Sequence, residues 1–206
     1  MNFPVIPARM ALINVDMQNI FVDNPKREGK GLPLVERIND FAAVCRAAGI
    51  LVIHTRGIIR DDGANAGVFG EIFPPATEVF NRNAPSAALH ANLIVDERDI
   101  ILDKPRYGAF HATDLELILR SRGIDSVIIS GIATNVCCET TAREGMVRDF
   151  RVFFLSDGTL PTTPGGLSAD EVQRASLATL GALFAQVLPM DEMIEKIHSA
   201  ANGRID

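Results

Sequence analysis

Six stretches of the chain are dominated by apolar residues that run on without a regular polar interruption: 11–18 (ALINVDMQ), 50–55 (ILVIHT), 99–104 (DIILDK), 127–130 (VIIS), 151–156 (RVFFLS) and 184–188 (FAQVL). Continuous apolar runs of this length, as opposed to strict alternation, predict strands covered on both faces. Between them the period changes to that of a helix. Leu34, Ile38, Phe41 and Cys45 share one face of a helix over 33–48, with Pro33 at its start and Gly49 at its stop. Thr113-Asp-Leu-Glu116 and Ser168-Ala-Asp-Glu171 both read as capping boxes. The first opens a helix over 115–122 that Gly123 closes, and the second opens one that runs to about residue 180. Residues 190–200 form a closing helix, followed by a frayed tail over 202–206. Strands alternating with helices predict an α/β fold, a doubly wound, mostly parallel sheet with helices on both faces in three Rossmann-type layers. Residues 56–92 break the alternation. They are rich in Gly, Pro, Asn and Ala with weak periodicity, which predicts a functional loop or a lid with short helices. Arg56, Arg60 and Phe69 are its candidates for touching a ligand, although a solvated connection or an oligomer contact is the default for any one of them.

Composition narrows the setting. A chain of 206 residues with 47% hydrophobic side chains suffices for a single domain over 1–206 with a sizeable core. The net charge is −6, and no run of Lys and Arg follows a phosphate backbone, which argues against nucleic acid as a partner. The three cysteines, Cys45, Cys137 and Cys138, are an odd number with two adjacent, which suits a reducing cytoplasm better than a disulfide scaffold. No basic-then-apolar signal pattern and no apolar run of bilayer length is visible, so a soluble cytoplasmic protein without membrane partners is expected.

The chemistry concentrates where the 127–130 strand runs into residues 131–143 (GIATNVCCETTAR), a tight turn into a helix bearing two cysteines. A thiol at a helix N-terminus meets the positive end of the helix dipole and free N–H groups, which favour thiolate and are able to hold an oxyanion. The bland alternative is a buried pair that packs. Asp16 ends the first strand, at the edge where α/β folds bind ligands, and serves equally well as a cap. Asn14 shares its face and either orients Asp16 or ties down a loop. His54 is read as a satisfied core residue before a site residue. Cys45 falls on a core face, and Lys104, at a strand exit, is solvated by default.

Three strand ends nevertheless carry Asp16, Lys104 and Cys137, and in a doubly wound sheet those ends share one edge. Asp-Met-Gln after the first strand, Lys-Pro-x-Tyr-Gly-Ala-Phe before Thr-Asp-Leu-Glu, and Gly-x-x-Thr-Asn-x-Cys together resemble the isochorismatase-like cysteine hydrolases, over residues 11–184. The resemblance implies a catalytic triad of Asp16, Lys104 and Cys137. It also implies a non-proline cis peptide at Ile132-Ala133 and an oxyanion hole from the N–H groups of Ala133 and Cys137. Gln18, Phe21, Phe110 and Ile132 are then expected at the substrate, Arg56 or Arg60 at a substrate carboxylate, and Cys138 in packing. The implied reaction is cleavage of a C–N bond in a small amide, ureido or carbamoyl compound through a thioester, in a dimer or tetramer and with no cofactor. Relatives that hydrolyse nicotinamide carry an Asp-x-His and a later His for a metal ion. This chain lacks that pattern, so no metal is expected and linear substrates are expected over nicotinamide. A vinyl-ether hydrolase and a catalytically silent binding protein stay open as alternatives.

Overall fold

The computed structural model describes residues 1–201. Strand β1 (Met10–Val15) is buried along its whole length. Its side chains divide by parity, Met10 and Leu12 entering the core on one side of the sheet and Ala11, Ile13 and Val15 the core on the other. A short helix α1 (Asn19–Val22) precedes α2 (Gly31–Ala47), which starts two residues before Pro33. That proline sits in the first turn, where its missing N–H costs no bond, and Gly49 takes up φ +78 just past the helix end. Strand β2 (Leu51–Gly57) follows. Residues 58–92 hold two short helices, α3 (Gly67–Ile72) and α4 (Ala76–Val79), around a small cluster of their own made by Ile59, Ala76 and Phe80 with Phe21, Phe69 and Phe73.

Strand β3 (Ile100–Lys104) leads to α5 (Leu115–Ser121), β4 (Ser126–Ile132), α6 (Glu139–Met146), β5 (Arg151–Leu160), α7 (Ala169–Leu183), β6 (Gln186–Leu188) and α8 (Met190–Ala201). All five strand pairings are parallel, in the order β3-β2-β1-β4-β5-β6. Helices α2 and α8 cover one face, and α5, α6 and α7 the other. The chain therefore winds outward both ways from β1 and β4, and the crevice at their carboxyl ends is where such sheets bind ligands.

Two local expectations resolve differently. The Ser168 box forms: the Ser168 hydroxyl accepts from Glu171 N–H at 3.3 Å and the Glu171 carboxylate accepts from Ser168 N–H at 2.9 Å. The Thr113 box does not. Asp114 occupies the cap position of α5, so the Thr113 hydroxyl lies one residue too early and donates back to the Ala109 carbonyl at 2.6 Å. Glu116 instead faces Arg120 and Arg148. Residues 202–206, read as a frayed tail, lie outside the described residues.

Candidate active site

Immediately after β1 the backbone turns through φ +52 at Asp16, a left-handed conformation that non-glycine residues seldom adopt. Thr55, near the end of β2, holds both ends of that residue. Its hydroxyl oxygen accepts from Asp16 N–H at 3.1 Å and donates to Asp16 Oδ1 at 2.7 Å. The other carboxylate oxygen meets Lys104 Nζ at 2.7 Å, with both side chains 1% exposed. A buried ion pair is costly unless its remaining donors find acceptors. Here they do, because the ammonium also donates to the Arg106 and Tyr107 carbonyls, each at 2.9 Å. Burial opposes the Lys104 charge, but Asp16 and the nearby cysteines more than offset it and its pKa ends above the ordinary lysine value.

The third group arrives from β4. After a cis Ile132–Ala133 peptide the chain makes one π-helical turn, Thr134–Cys138, that runs straight into α6. Cys137 is 6% exposed and lies close enough to Lys104, Asp16 and the Ala133 N–H for each to act on its sulfur. Burial pushes the Cys137 thiol up to about 12; Lys104 and the Ala133 N–H pull it down, and Asp16 pushes it up. The expectation that a helix end would favour the thiolate is thus corrected. Loss of water around the sulfur outweighs the nearby positive charge and favours the protonated thiol. Cys138 points away, fully buried, with its Sγ 3.8 Å from the Ser130 carbonyl.

Asp16, Lys104, Ala133 and Cys137 form the floor of a cavity of about 450 Å3. Ile20, Phe21, Phe69, Phe73, Phe80 and Tyr107 contribute its apolar wall. Residues 10–192 match the Isochorismatase domain family. The chain belongs to the isochorismatase family. It is 31% identical to a ureidoacrylate amidohydrolase (RutB) of Enterobacter sp. (strain 638), over 97% of this chain and 94% of that protein. It is 30% identical to Nicotinamidase 3 of Arabidopsis thaliana, over 89% and 86% respectively. Among solved structures, a cysteine hydrolase from Pseudomonas syringae pv. phaseolicola superposes with a TM-score of 0.90 at 36% identity, covering 97% of both chains.

In this isochorismatase-family protein the residues that line the cavity coincide only in part with those read in the sequence. Phe21 and Phe69 do line the cavity, and five others do not. Gln18 is fully buried: its amide oxygen accepts from Gly57 N–H at 2.8 Å and its Nε2 donates to the Gly57 and Ala87 carbonyls, so it ties β2 to residues 85–87. Arg56 is held by Asp103 at 2.8 Å, and the exposed Arg60 by Asp62. Phe110 stacks on Phe150 at 5.5 Å beneath Arg148. Ile132 belongs to the core beneath the turn. Asn14 does not orient Asp16; it bonds Ser130 and His54, whose Nε2 faces Asp99 at 3.0 Å. Burial lowers the His54 pKa despite Asp99, which fits a neutral core histidine. Among the described residues, no group of three or more His, Cys, Asp or Glu could hold a metal ion.

Thr55, Arg27 and Arg106 are among the residues of the site that escaped the sequence reading. Thr55 was legible in principle, since β1 and β2 run parallel with Asn14 opposite His54, which brings the next positions on β2 level with Asp16. Arg27 and Arg106 carried no signal, because each reaches the cavity from a segment without periodicity.

Proposed function

We propose that this protein is a cysteine-dependent amidohydrolase that cleaves a C–N bond of a small amide, ureido or carbamoyl compound, with the whole chain serving as one hydrolase domain. The observation that carries the reading is a buried thiol that shares the floor of a largely apolar cavity with a carboxylate itself fixed by a buried lysine and a threonine. Asp16 takes the Cys137 proton as the sulfur attacks the carbonyl carbon, and Lys104 compensates the charge that passes from carboxylate to thiolate. The N–H groups of Ala133 and Cys137 receive the oxyanion. Collapse of the tetrahedral adduct breaks the C–N bond, Asp16 returns its proton to the departing nitrogen, and a thioester remains. Asp16 then removes a proton from water, which attacks the thioester and frees the acid, and the thiol recovers its proton.

Two wider features belong to the same reading. A reducing cytoplasm suits a nucleophile that must stay unoxidised, and all three cysteines are free. A homo-oligomer agrees with exposed apolar residues such as Val68 and Ile72 on α3.

The test is ammonia release from a panel of N-carbamoyl amino acids, ureidoacrylate-like compounds, biuret and nicotinamide. The linear compounds should be preferred, Cys137→Ser should abolish turnover, and a folded Cys138→Ala should keep most of it. Equal loss in the two cysteine variants, or a preference for nicotinamide by roughly tenfold or more in kcat/KM, about 1.4 kcal/mol, would overturn the nucleophile or the substrate assignment respectively.

A further inference from the structure

Among the described residues four arginines meet no carboxylate: Arg27, Arg106, Arg122 and Arg174. The last two are exposed at the surface, where water solvates them. Arg27 and Arg106 are only half-exposed, and both line the cavity above Cys137. They leave the cavity with three cationic heads, Arg27, Lys104 and Arg106, and one carboxylate, Asp16, which Lys104 already occupies. A positive cavity in a chain of net charge −6 is a local arrangement and does not follow from composition.

Both guanidinium groups are clamped by backbone oxygens. Arg27 Nε donates to the Phe21 carbonyl and Nη1 to the Pro161 carbonyl, each at 2.8 Å. Arg106 Nη1 donates to the Asn65 carbonyl at 2.8 Å and the Pro105 carbonyl at 2.7 Å. Among the described residues, Nη2 of each has no protein acceptor. A planar fork held on one side and free on the other is already ordered for a carboxylate, so little side-chain freedom is lost on binding. Arg27 also lies close enough to Cys138 and Cys137 for its charge to interact with them, so a group bound at Arg27 stays within a small molecule's length of the reacting sulfur.

We propose that Arg27, supported by Arg106, recognises a carboxylate on the substrate, so that the compound cleaved here is an anionic ureido or amido acid. The proposal rests on the amidohydrolase reading for its chemistry and on the uncompensated arginines for its specificity. The carboxylate is bound and not transformed, while the amide end meets Cys137.

The experiment compares 3-ureidopropionate with propylurea, which lacks the acid group, in two readouts. Calorimetric titration of the Cys137→Ser protein measures binding without turnover. Ammonia release by the Cys137 enzyme measures kcat/KM. The acid should be preferred in both, and Arg27→Gln should lower the preference by roughly 10- to 100-fold, the range for losing a charge-assisted pair. If that variant does not fold, Arg27→Lys keeps the charge, loses the fork and should still reduce the ratio by about tenfold. Equal binding of the two compounds, or a preference that survives both Arg27 substitutions, overturns the proposal. So does a preference lost only in Arg106→Gln. Selective binding of the acid with hydrolysis of neither compound would sustain the carboxylate subsite and remove the amidohydrolase reading, so the two failures are distinguishable.

Discussion

At Cys137 two influences oppose each other, and burial wins. The thiol is pushed up to about 12 although Lys104 and the Ala133 N–H both draw it down. The free enzyme should therefore react with iodoacetamide slowly near neutral pH, and the rate should climb steadily through about pH 10 without a plateau, because the thiolate fraction is still small there. A plateau below about pH 8 in a mass-spectrometric alkylation series would show a low-pKa thiolate and remove the need for Asp16 as proton acceptor. That Asp16, Lys104 and Cys137 come together was legible in the sequence because each lies at or just past the end of a strand, and strand ends meet at one edge. Their protonation was not, since it depends on how completely the surroundings exclude water. The misplacement of Arg56 has a related cause. A carboxylate on the neighbouring strand, Asp103, claims it, and that pairing comes from the β2–β3 register, whereas the Arg27 guanidinium is held by the Phe21 and Pro161 carbonyls and meets no carboxylate among the described residues.

The seam between β1 and β4 is the element that brings Asp16 and the cysteine turn together, and Gly131 is its tightest point. At φ +115, a Cβ added there would stand 2.1 Å from the Val15 carbonyl oxygen. Gly131→Ala should cost more than about 3 kcal/mol, since backbone strain and a clash with an immovable strand combine. Gly49→Ala serves as its comparison: φ is +78 but nothing lies within 4 Å, so only the conformational cost of about 1–2 kcal/mol applies. Urea midpoints of the two variants measure the difference, and equal losses would mean that the seam yields more readily than its packing implies. Elements with strong periodicity or a stop signal were legible: β1, β2 and α2 fall within a few residues of expectation, and Gly49 closes α2 as read. The length of β5 was not, because Gly158 and Thr159 continue the strand past Asp157 only through pairing with β4 beyond an irregularity in register. Thr113 shows the limit of motif reading, for a correct four-residue pattern fails when the helix begins one residue late.

Across the molecule, Cys45, Cys137 and Cys138 all have thiol pKa values raised by burial above the ordinary 9.0. A group whose folded pKa is raised lends stability that is fully present below its unfolded pKa and is lost as pH climbs through the folded value. Lys104, raised above 10.5, acts in the same direction. The melting temperature should thus hold up to about pH 9 and fall beyond it. Cys45→Ala should make that fall shallower while lowering stability at neutral pH through the lost packing. An unchanged alkaline slope in Cys45→Ala would assign the fall to other groups. The parallel α/β architecture was legible because buried strands and amphipathic helices alternate without exception outside residues 56–92. That stretch resisted reading because its order comes from contacts among its own aromatic rings and with Phe21. Its small independent core has an evolutionary consequence. Substitutions in residues 58–92 can re-cut the wall of the chamber while Asp16, Lys104 and Cys137 stay moored at the ends of the strands, so selection can change the compound admitted without having to rebuild the floor beneath it.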